Sequence, residues 1–221
     1  MGGMASRRRN PWLFWPGIAL VVAGLAVLGY VGWQLWGTNW VSERQQQEAV
    51  TDLRKGWSQG KDEARTEFGT ATAIIRIPRF GDDYAVPVFD GTSDEVLASG
   101  YGHFEGTAGP GQRGNYALAA HRVTHGEPLR DMPQLEVGDR VVVETRRATH
   151  VYELVTGGDD LIVDFTDVWV TDPLPTNPEK GGVQPPQRKG QRLLTLTTCS
   201  ELFHTDERMI AFARLVRTEP T

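Results

Sequence analysis

The chain has 221 residues, 39% of them hydrophobic, and a formal net charge of -5. This length and hydrophobic content predict one ordinary domain with a packed core and short appendages. The charged residues before residue 41 are Arg7, Arg8 and Arg9, so the rest of the chain is more acidic than the total. An acidic chain argues against a nucleic-acid-binding surface, which needs clustered Lys and Arg to neutralise phosphates.

The first predicted element is a transmembrane helix over 12–36. This stretch carries no charge, and as a helix it would be about 37 Å long, enough to span a bilayer with some tilt. Tryptophans lie near both ends of the stretch, as is typical of residues at the level of the lipid headgroups. The preceding arginines predict a cytoplasmic basic tail over 1–11. A cleaved signal peptide is the alternative, but the apolar run is long for one and no clear cleavage site follows it. We expect a single-pass protein of the cell membrane with the bulk of the chain extracellular.

The segment 37–70 is polar and predicts an extracellular stalk or linker. Within it, SERQQQEAVTDLRKGW suggests a short helix with a weak apolar face formed by Ala49, Val50, Leu53 and Trp57. The following GKDEARTEFGT has few apolar residues and is typical of a linker. The catalytic domain is predicted over 71–221.

From residue 71 onward the sequence alternates short β-type runs with Gly, Pro and Asp clusters. Two short helices are predicted near 94–98 and 129–135. Because no long helical period separates the runs, an all-β barrel or sandwich is favoured over a βαβ fold. The eight runs are AIIRI, YAVPVF, NYALAAH, DRVVVET, THVYELV, LIVDF, RLLTLTTC and RMIAFARLV.

Cys199 is the single cysteine of the chain. Since an intramolecular disulfide is impossible, it is a buried bystander, an intermolecular link or a reactive group. It ends a predicted strand, and Arg208 begins the next one, so a hairpin could place the guanidinium beside the sulfur. His121 ends another strand. An imidazole and a guanidinium are the groups that promote thiolate formation, so this set predicts a nucleophilic cysteine.

The same residues carry a family resemblance. The sequence TLTTC at 195–199 resembles the TLxTC signature of sortases, and Arg208 lies where that family has its essential arginine. The segments IPRFGDDYAVPVFDG and GHFEGTAGPGQRGNYALAAHR resemble the first-strand region and the segment ending in the catalytic histidine. The chain looks most like class E sortases, over about 71–216. The resemblance implies an eight-stranded sortase-type β-barrel with short helices behind the transmembrane helix.

The resemblance also implies a reaction. Cys199 would attack the threonine carbonyl of an LPXTG or LAXTG sorting signal of a surface protein, form a thioester and release the glycine end. His121 would act as general acid and base, and Arg208 would stabilise the oxyanion. The acceptor would be an amine of a peptidoglycan precursor or a pilin lysine, and no cofactor is needed.

We expect four neighbours of the catalytic residues to bind the substrate: Thr124, His125, Thr197 and Thr198. Class E relatives often have tyrosine at the position of His125, which is implicated in choosing the second residue of the signal. The preference between LPXTG and LAXTG therefore stays open. The sequence AAHR at 119–122 also departs from the usual AGHR, a small change that we expect to be harmless.

Other interpretations stay open beside this one. The chain could be an extracytoplasmic cysteine protease, an L,D-transpeptidase-like cell-wall enzyme or a non-catalytic peptide-binding module, and His103 or His204 could replace His121 as base. No metal is expected. His121 and His125 have helical zinc spacing but follow a strand, and three acidic residues are interpreted as solvated loop charges rather than calcium ligands. These are Glu105, Asp159 and Asp160.

Overall fold

A computed structural model of the chain describes residues 11–33, 38–199 and 206–221, except for the side chains of residues 11–14, 38 and 199. Helix α1 (Pro11–Gly32) comes first. Its segment Trp15–Gly32 has a mean hydropathy of 1.8 and is 0% buried. By length and composition α1 can cross a membrane. The last part of the predicted span, 34–36, and most of the predicted tail over 1–11 lie outside the described residues.

The second helix, α2 (Thr38–Ser58), is longer than the short helix predicted within the stalk. Its apolar face is buried: Leu53 is 0% exposed and Ala49 and Val50 are nearly so. These three side chains pack in one cluster with Ile74 and Phe89 of the domain that follows. The helix is thus part of the folded domain, because its apolar stripe is matched by an apolar patch on the outside of the sheet.

Ten strands and a third short helix make up the rest of the described fold. Helix α3 (Asp94–Ser99) lies in the first predicted helical region, and a 3-10 turn, Met132–Gln134, lies in the second. Further 3-10 turns are Pro78–Phe80 and Val168–Thr171. The strands are β1 (Ala64–Thr66), β2 (Gly69–Arg76), β3 (Val86–Asp90), β4 (Tyr101–His103), β5 (Gly114–Ala119), β6 (Arg140–Glu144), β7 (Ala148–Leu154), β8 (Leu161–Asp164), β9 (Arg192–Cys199) and β10 (Glu207–Pro220).

Eight of these strands close into a barrel. Their order is β2-β3-β4-β5-β9-β10-β7-β6, and the pairing of β6 with β2 closes the ring. Neighbours are antiparallel except for β3–β4 and β5–β9, which are parallel. Side chains that alternate along each strand fill the interior, including Leu194 and Leu196 of β9 and the large residues Tyr101, Tyr116 and Tyr152. The predicted eight-stranded β-barrel with short helices is confirmed.

The barrel differs from the prediction in which strands form it. The run LIVDF was counted among the eight, but β8 lies outside the ring and pairs with β10. Its place is taken by β4, which is only three residues long and centred on a glycine. A Cβ at Gly102 would come within 2.5 Å of the Gly91 carbonyl oxygen. Close backbone approach therefore requires glycine there, and a short glycine-centred strand gives no β-type pattern.

The sheet also begins before the predicted domain boundary at residue 71. Ala64–Thr66 pairs with the start of β2 as a hairpin, inside the segment interpreted as linker. Ala64 is buried in the same cluster as Leu53 of α2. The segment lacks an apolar run because Ala64 is the one buried residue of β1, so composition alone suggested a linker.

Candidate active site

The ends of three adjacent strands form the candidate site. In the ring, β9 lies between β5 and β10, so each of its residues has one neighbour on either side. The predicted catalytic residues lie at the ends of these strands: His121 just after β5, Cys199 at the end of β9 and Arg208 near the start of β10. The barrel thus brings together the backbones of all three.

The parallel pairing places His121 beside Cys199. Ala119 of β5 is aligned with Thr197 of β9, and the Ala120 amide donates a hydrogen bond of 3.2 Å to the Thr197 carbonyl oxygen. Because the strands run in the same direction, the residues two positions further on are His121 and Cys199. Strands in a sheet are about 4.8 Å apart, so the two backbones are close neighbours.

The antiparallel pairing places Arg208 on the other side. Arg208 is directly opposite Cys199 in the β9–β10 register, which confirms the predicted hairpin. Its guanidinium donates a 3.0 Å hydrogen bond to the Glu207 carbonyl oxygen. Hydrogen bonds from Thr166 lower the pKa of Asp164 on β8, and the charge of Arg208 adds to this effect. The cation therefore lies at the exposed end of the barrel, beside the end of β9.

The His121 ring is held mainly as the neutral imidazole. Burial, and to a smaller extent the nearby His125, lower its pKa to about 4, while the Asp94 carboxylate acts in the opposite direction. The two imidazole rings have centroids 4.9 Å apart and planes tilted by 30°. The folded-state pKa is below the ordinary value of about 6.5. The neutral His121 ring therefore makes its whole contribution to the free energy of unfolding above about pH 6.5. This contribution is lost as the pH falls towards about 4.

Removing the Asp94 charge should lower the pKa of both imidazoles. The carboxylate raises the pKa of His121 and of His125, so Asp94→Asn withdraws a stabilising charge from both imidazolium forms. Nuclear magnetic resonance titration of labelled histidines would measure this, at low salt because Asp94 is exposed. Asp159→Asn, an exposed carboxylate in another loop, is the matched control. Unchanged titrations in Asp94→Asn would contradict the assignment of Asp94 as a neighbouring charge.

The loop that carries His125 has an unusual backbone. His125, Gly126 and Glu127 have φ values of 57°, 76° and 47°, all in the left-handed region. For residues other than glycine this region costs about 1–2 kcal/mol each, so contacts must hold the loop. The Leu129 amide closes it by donating to the His121 carbonyl oxygen at 3.0 Å. The Tyr84 hydroxyl donates to the Pro128 carbonyl oxygen at 2.8 Å.

A cavity of about 350 Å³ lies beside His125. Its walls come from Trp33 just after α1, from α2, from α3 and from the turn between β1 and β2. Thr124 is half-buried, and its hydroxyl lies 3.0 Å from His125 Nδ1. Of the predicted substrate-binding residues on this loop, His125 lines the cavity and Thr124 contacts His125.

The other two predicted substrate-binding residues lie on β9. Thr197 and Thr198 are 6% and 3% exposed. Thr198 is on the same strand face as the barrel-filling Leu194 and Leu196, and its hydroxyl is buried without a hydrogen-bond partner among the described residues. These two residues therefore support the end of β9 and offer little open surface.

The alternative base His103 is engaged elsewhere. Its Nε2 lies 3.1 Å from the Ala108 carbonyl oxygen and 3.0 Å from the Thr107 hydroxyl, and its ring packs on Tyr116. His204, the other alternative, lies outside the described residues. Within the described ranges no group of three or more His, Cys, Asp and Glu side chains is placed to hold a metal ion.

Comparison with known proteins agrees with this geometry. The family model described as Sortase domain matches residues 75–216. The chain belongs to the sortase family. Members of this family are cysteine transpeptidases, and the predicted resemblance is confirmed.

Two curated sortases of Streptomyces coelicolor are similar over most of the chain. Sortase SrtE1 is 36% identical over 215 residues, which are 92% of this chain and 57% of that protein. Sortase SrtE2 is 26% identical over 216 residues, 92% of this chain and 81% of that protein. The chain therefore spans little more than half of the length of SrtE1.

Solved sortase structures share the barrel. Sortase E from Streptomyces avermitilis has a TM-score of 0.60 and 38% identity, covering 71% of this chain and 93% of that one. Sortase E1 from Streptomyces coelicolor, solved with a tripeptide in its active site, has a TM-score of 0.57 and 33% identity, covering 71% and 94%. These relatives support a class E-like sortase.

Sequence reasoning did not find three residues next to the candidate site. Asp94 was seen only as the start of a short helix, and Asn39 and Gln46 were included in a stalk. The spacing of Asn39, Ser42, Gln46 and Leu53 follows the same helical stripe as the apolar face of α2. The continuation of the apolar stripe through these polar residues was the signal that could have revealed the contact. Polar side chains on such a stripe ordinarily indicate that this end of the helix is exposed to solvent.

Proposed function

We propose that this sortase is a membrane-anchored transpeptidase for sorting signals of the LPXTG or LAXTG kind. It cleaves between Thr and Gly through a thioester on Cys199 and transfers the surface protein to a cell-wall or pilin amine. The observation that supports the proposal is the register of β5, β9 and β10: Arg208 is paired with Cys199, and the last β5–β9 pair, Ala119 with Thr197, lies two residues before His121 and Cys199.

In the first half of the reaction the Cys199 sulfur attacks the threonine carbonyl carbon. The pKa of about 4 leaves His121 neutral at neutral pH, so the imidazole can accept the thiol proton. Negative charge develops on the carbonyl oxygen, where the Arg208 guanidinium stabilises it. The C–N bond to glycine then breaks, His121 gives its proton to the departing amine, and the thioester remains.

In the second half the acceptor amine attacks the thioester carbonyl. His121 takes the proton of the attacking amine, a new C–N bond forms, the C–S bond breaks, and His121 returns the proton to the departing sulfur, which restores the cysteine. Thr124 and His125 would contact the signal from one side, and Thr197 and Thr198 would support the strand end that carries the sulfur. No bound cofactor takes part in these steps.

The proposed location is the cell membrane, with α1 as the anchor, the N-terminus in the cytoplasm and the catalytic domain outside. The length and hydropathy of α1 support an anchor, and the arginines that precede it support this orientation. The partners are then surface proteins that end in a sorting signal, amine acceptors and the bilayer.

Peptide ligation tests the proposed function. The full chain in lipid nanodiscs is incubated with LPXTG and LAXTG peptides and with an amine acceptor, and mass spectrometry detects products. We expect ligated peptide whose new bond follows threonine. Hydrolysis alone would favour the cysteine protease, and binding without turnover would favour the peptide-binding module.

The choice between the two signals should depend on His125. This residue borders the cavity beside the site, so His125→Tyr changes the size and polarity of its wall. We expect the ratio of kcat/KM for LAXTG over LPXTG to change by about tenfold, the range available to one pocket contact. Equal ratios in the variant and the parent chain would remove His125 from substrate selection.

A further inference from the structure

The first turns of α2 contact the loop that carries His125. Asn39 donates a 2.7 Å hydrogen bond to Glu127 Oε1 and accepts one of 3.1 Å from the Gly126 amide. Gln46 donates to the His125 carbonyl oxygen at 3.3 Å. Three consecutive loop residues are therefore bonded by two side chains of a helix that is about 80 residues away in sequence.

The middle of this interface between α2 and the loop is buried. Gln46 is 5% exposed and Ser42, between the two, is 3% exposed. A Cβ at Gly126 would come within 2.7 Å of Gln46 Nε2, so the loop backbone and the amide are in close contact. Buried polar groups need such bonds, and their loss leaves donors and acceptors unsatisfied. The contact between α2 and the loop therefore depends on the hydrogen bonds of these amide side chains.

The bonded residues are the three with left-handed backbone. That conformation sets the direction of the His125 side chain, whose ring lies 4.9 Å from the His121 ring. A loop freed from α2 would relax towards ordinary φ values and turn His125 away from His121. The helix contact is thus linked to the surroundings of the proposed acid/base residue through one short segment.

We propose that Asn39 and Gln46 are positioning residues for the His121–His125 pair, so that α2 contributes to the geometry of the active site. The inference rests on the proposed function for the role of His121. The residues do not touch the reacting atoms. They act through the backbone of residues 125–127, which they hold in the conformation that packs the two imidazoles together.

The test compares N39A/Q46A with Q47A in the full chain in nanodiscs. Gln47 is exposed on the same helix, so Q47A controls for a change in α2 alone. We expect N39A/Q46A to lower kcat about tenfold with KM within about twofold. We also expect the pKa of His121, measured by nuclear magnetic resonance, to move up from about 4, because water reaches the loosened loop.

A reversed pair separates positioning from simple destabilisation. N39D places a second carboxylate against Glu127 and should lower kcat, whereas N39D/E127Q restores a donor and an acceptor between the same positions and should recover most of it. Histidine spectra and kcat of N39A/Q46A that match those of Q47A would overturn the proposal. If the parent chain ligates neither peptide but the histidine spectra shift as expected, the proposed function fails and the positioning role stands.

Discussion

Cys199→Ala abolishes ligation and removes the covalent intermediate. Alanine has no sulfur to attack the threonine carbonyl, so neither the thioester nor the transfer product can form. We expect a fall of at least about 1,000-fold in kcat/KM, as for other nucleophile deletions. Mass spectrometry of the chain after incubation with peptide would show the acyl adduct on the parent protein and its absence on the variant.

The control for Cys199→Ala is folding and peptide binding. Cys199 is the last residue of β9, and its neighbours Thr197 and Thr198 fill the strand end, so the smaller side chain should leave the barrel intact. Thermal unfolding close to that of the parent chain is expected. Wild-type ligation by the variant would remove Cys199 from the mechanism and with it the proposed function.

Arg208→Lys should reduce kcat by about 100-fold while the fold is kept. Lysine keeps the charge but loses the planar group with several fixed donors. Loss of one well-placed donor to an oxyanion lowers kcat by about 100- to 1,000-fold in comparable sites. Steady-state ligation kinetics, with KM and kcat separated, would measure this change.

The matched control for Arg208→Lys lies on the same strand. Arg214 is paired with Leu193 of β9, six residues from the Arg208–Cys199 pair and thus roughly 20 Å along the strand. Arg214→Lys should leave kcat within about twofold of the parent value, as expected for a surface charge. Equal effects of the two substitutions would show that Arg208 acts through general charge or stability rather than at the oxyanion.

Local sequence signals were sufficient for the β9–β10 side of the site. The two runs are separated by a short polar segment, and hairpin pairing across it follows from proximity in the chain. The position of β5, on the other side of β9, could not be predicted in this way. β5 and β9 are parallel and far apart in sequence, so their pairing depends on how the whole barrel closes. From the residues alone, His121 could be placed only at a strand end, and the family resemblance was needed to put it beside Cys199.

The contact of α2 was missed for another physical reason. A helix is predicted to bury its apolar residues, and Leu53 and its neighbours were recognised as such a face. Asn39 and Gln46 were not recognised as buried, because side-chain amides are ordinarily exposed to solvent. They become buried where they can form hydrogen bonds with another segment. The partner here is a loop with left-handed backbone at His125 and Glu127, a conformation that no local pattern in the sequence predicts.

The short connection between the first two helices limits where the chemistry can occur. Trp33 and Thr38 are five peptide units apart, a reach of at most about 18 Å when fully extended. Asn39 follows at once and contacts the loop of His125. With α1 in a bilayer, as proposed, the loop that carries His125 lies close to the lipid surface. A substrate of the proposed kind that is still held in the same membrane by its own tail would have its cleavage point near this surface, whereas a freely diffusing one would first have to reach it.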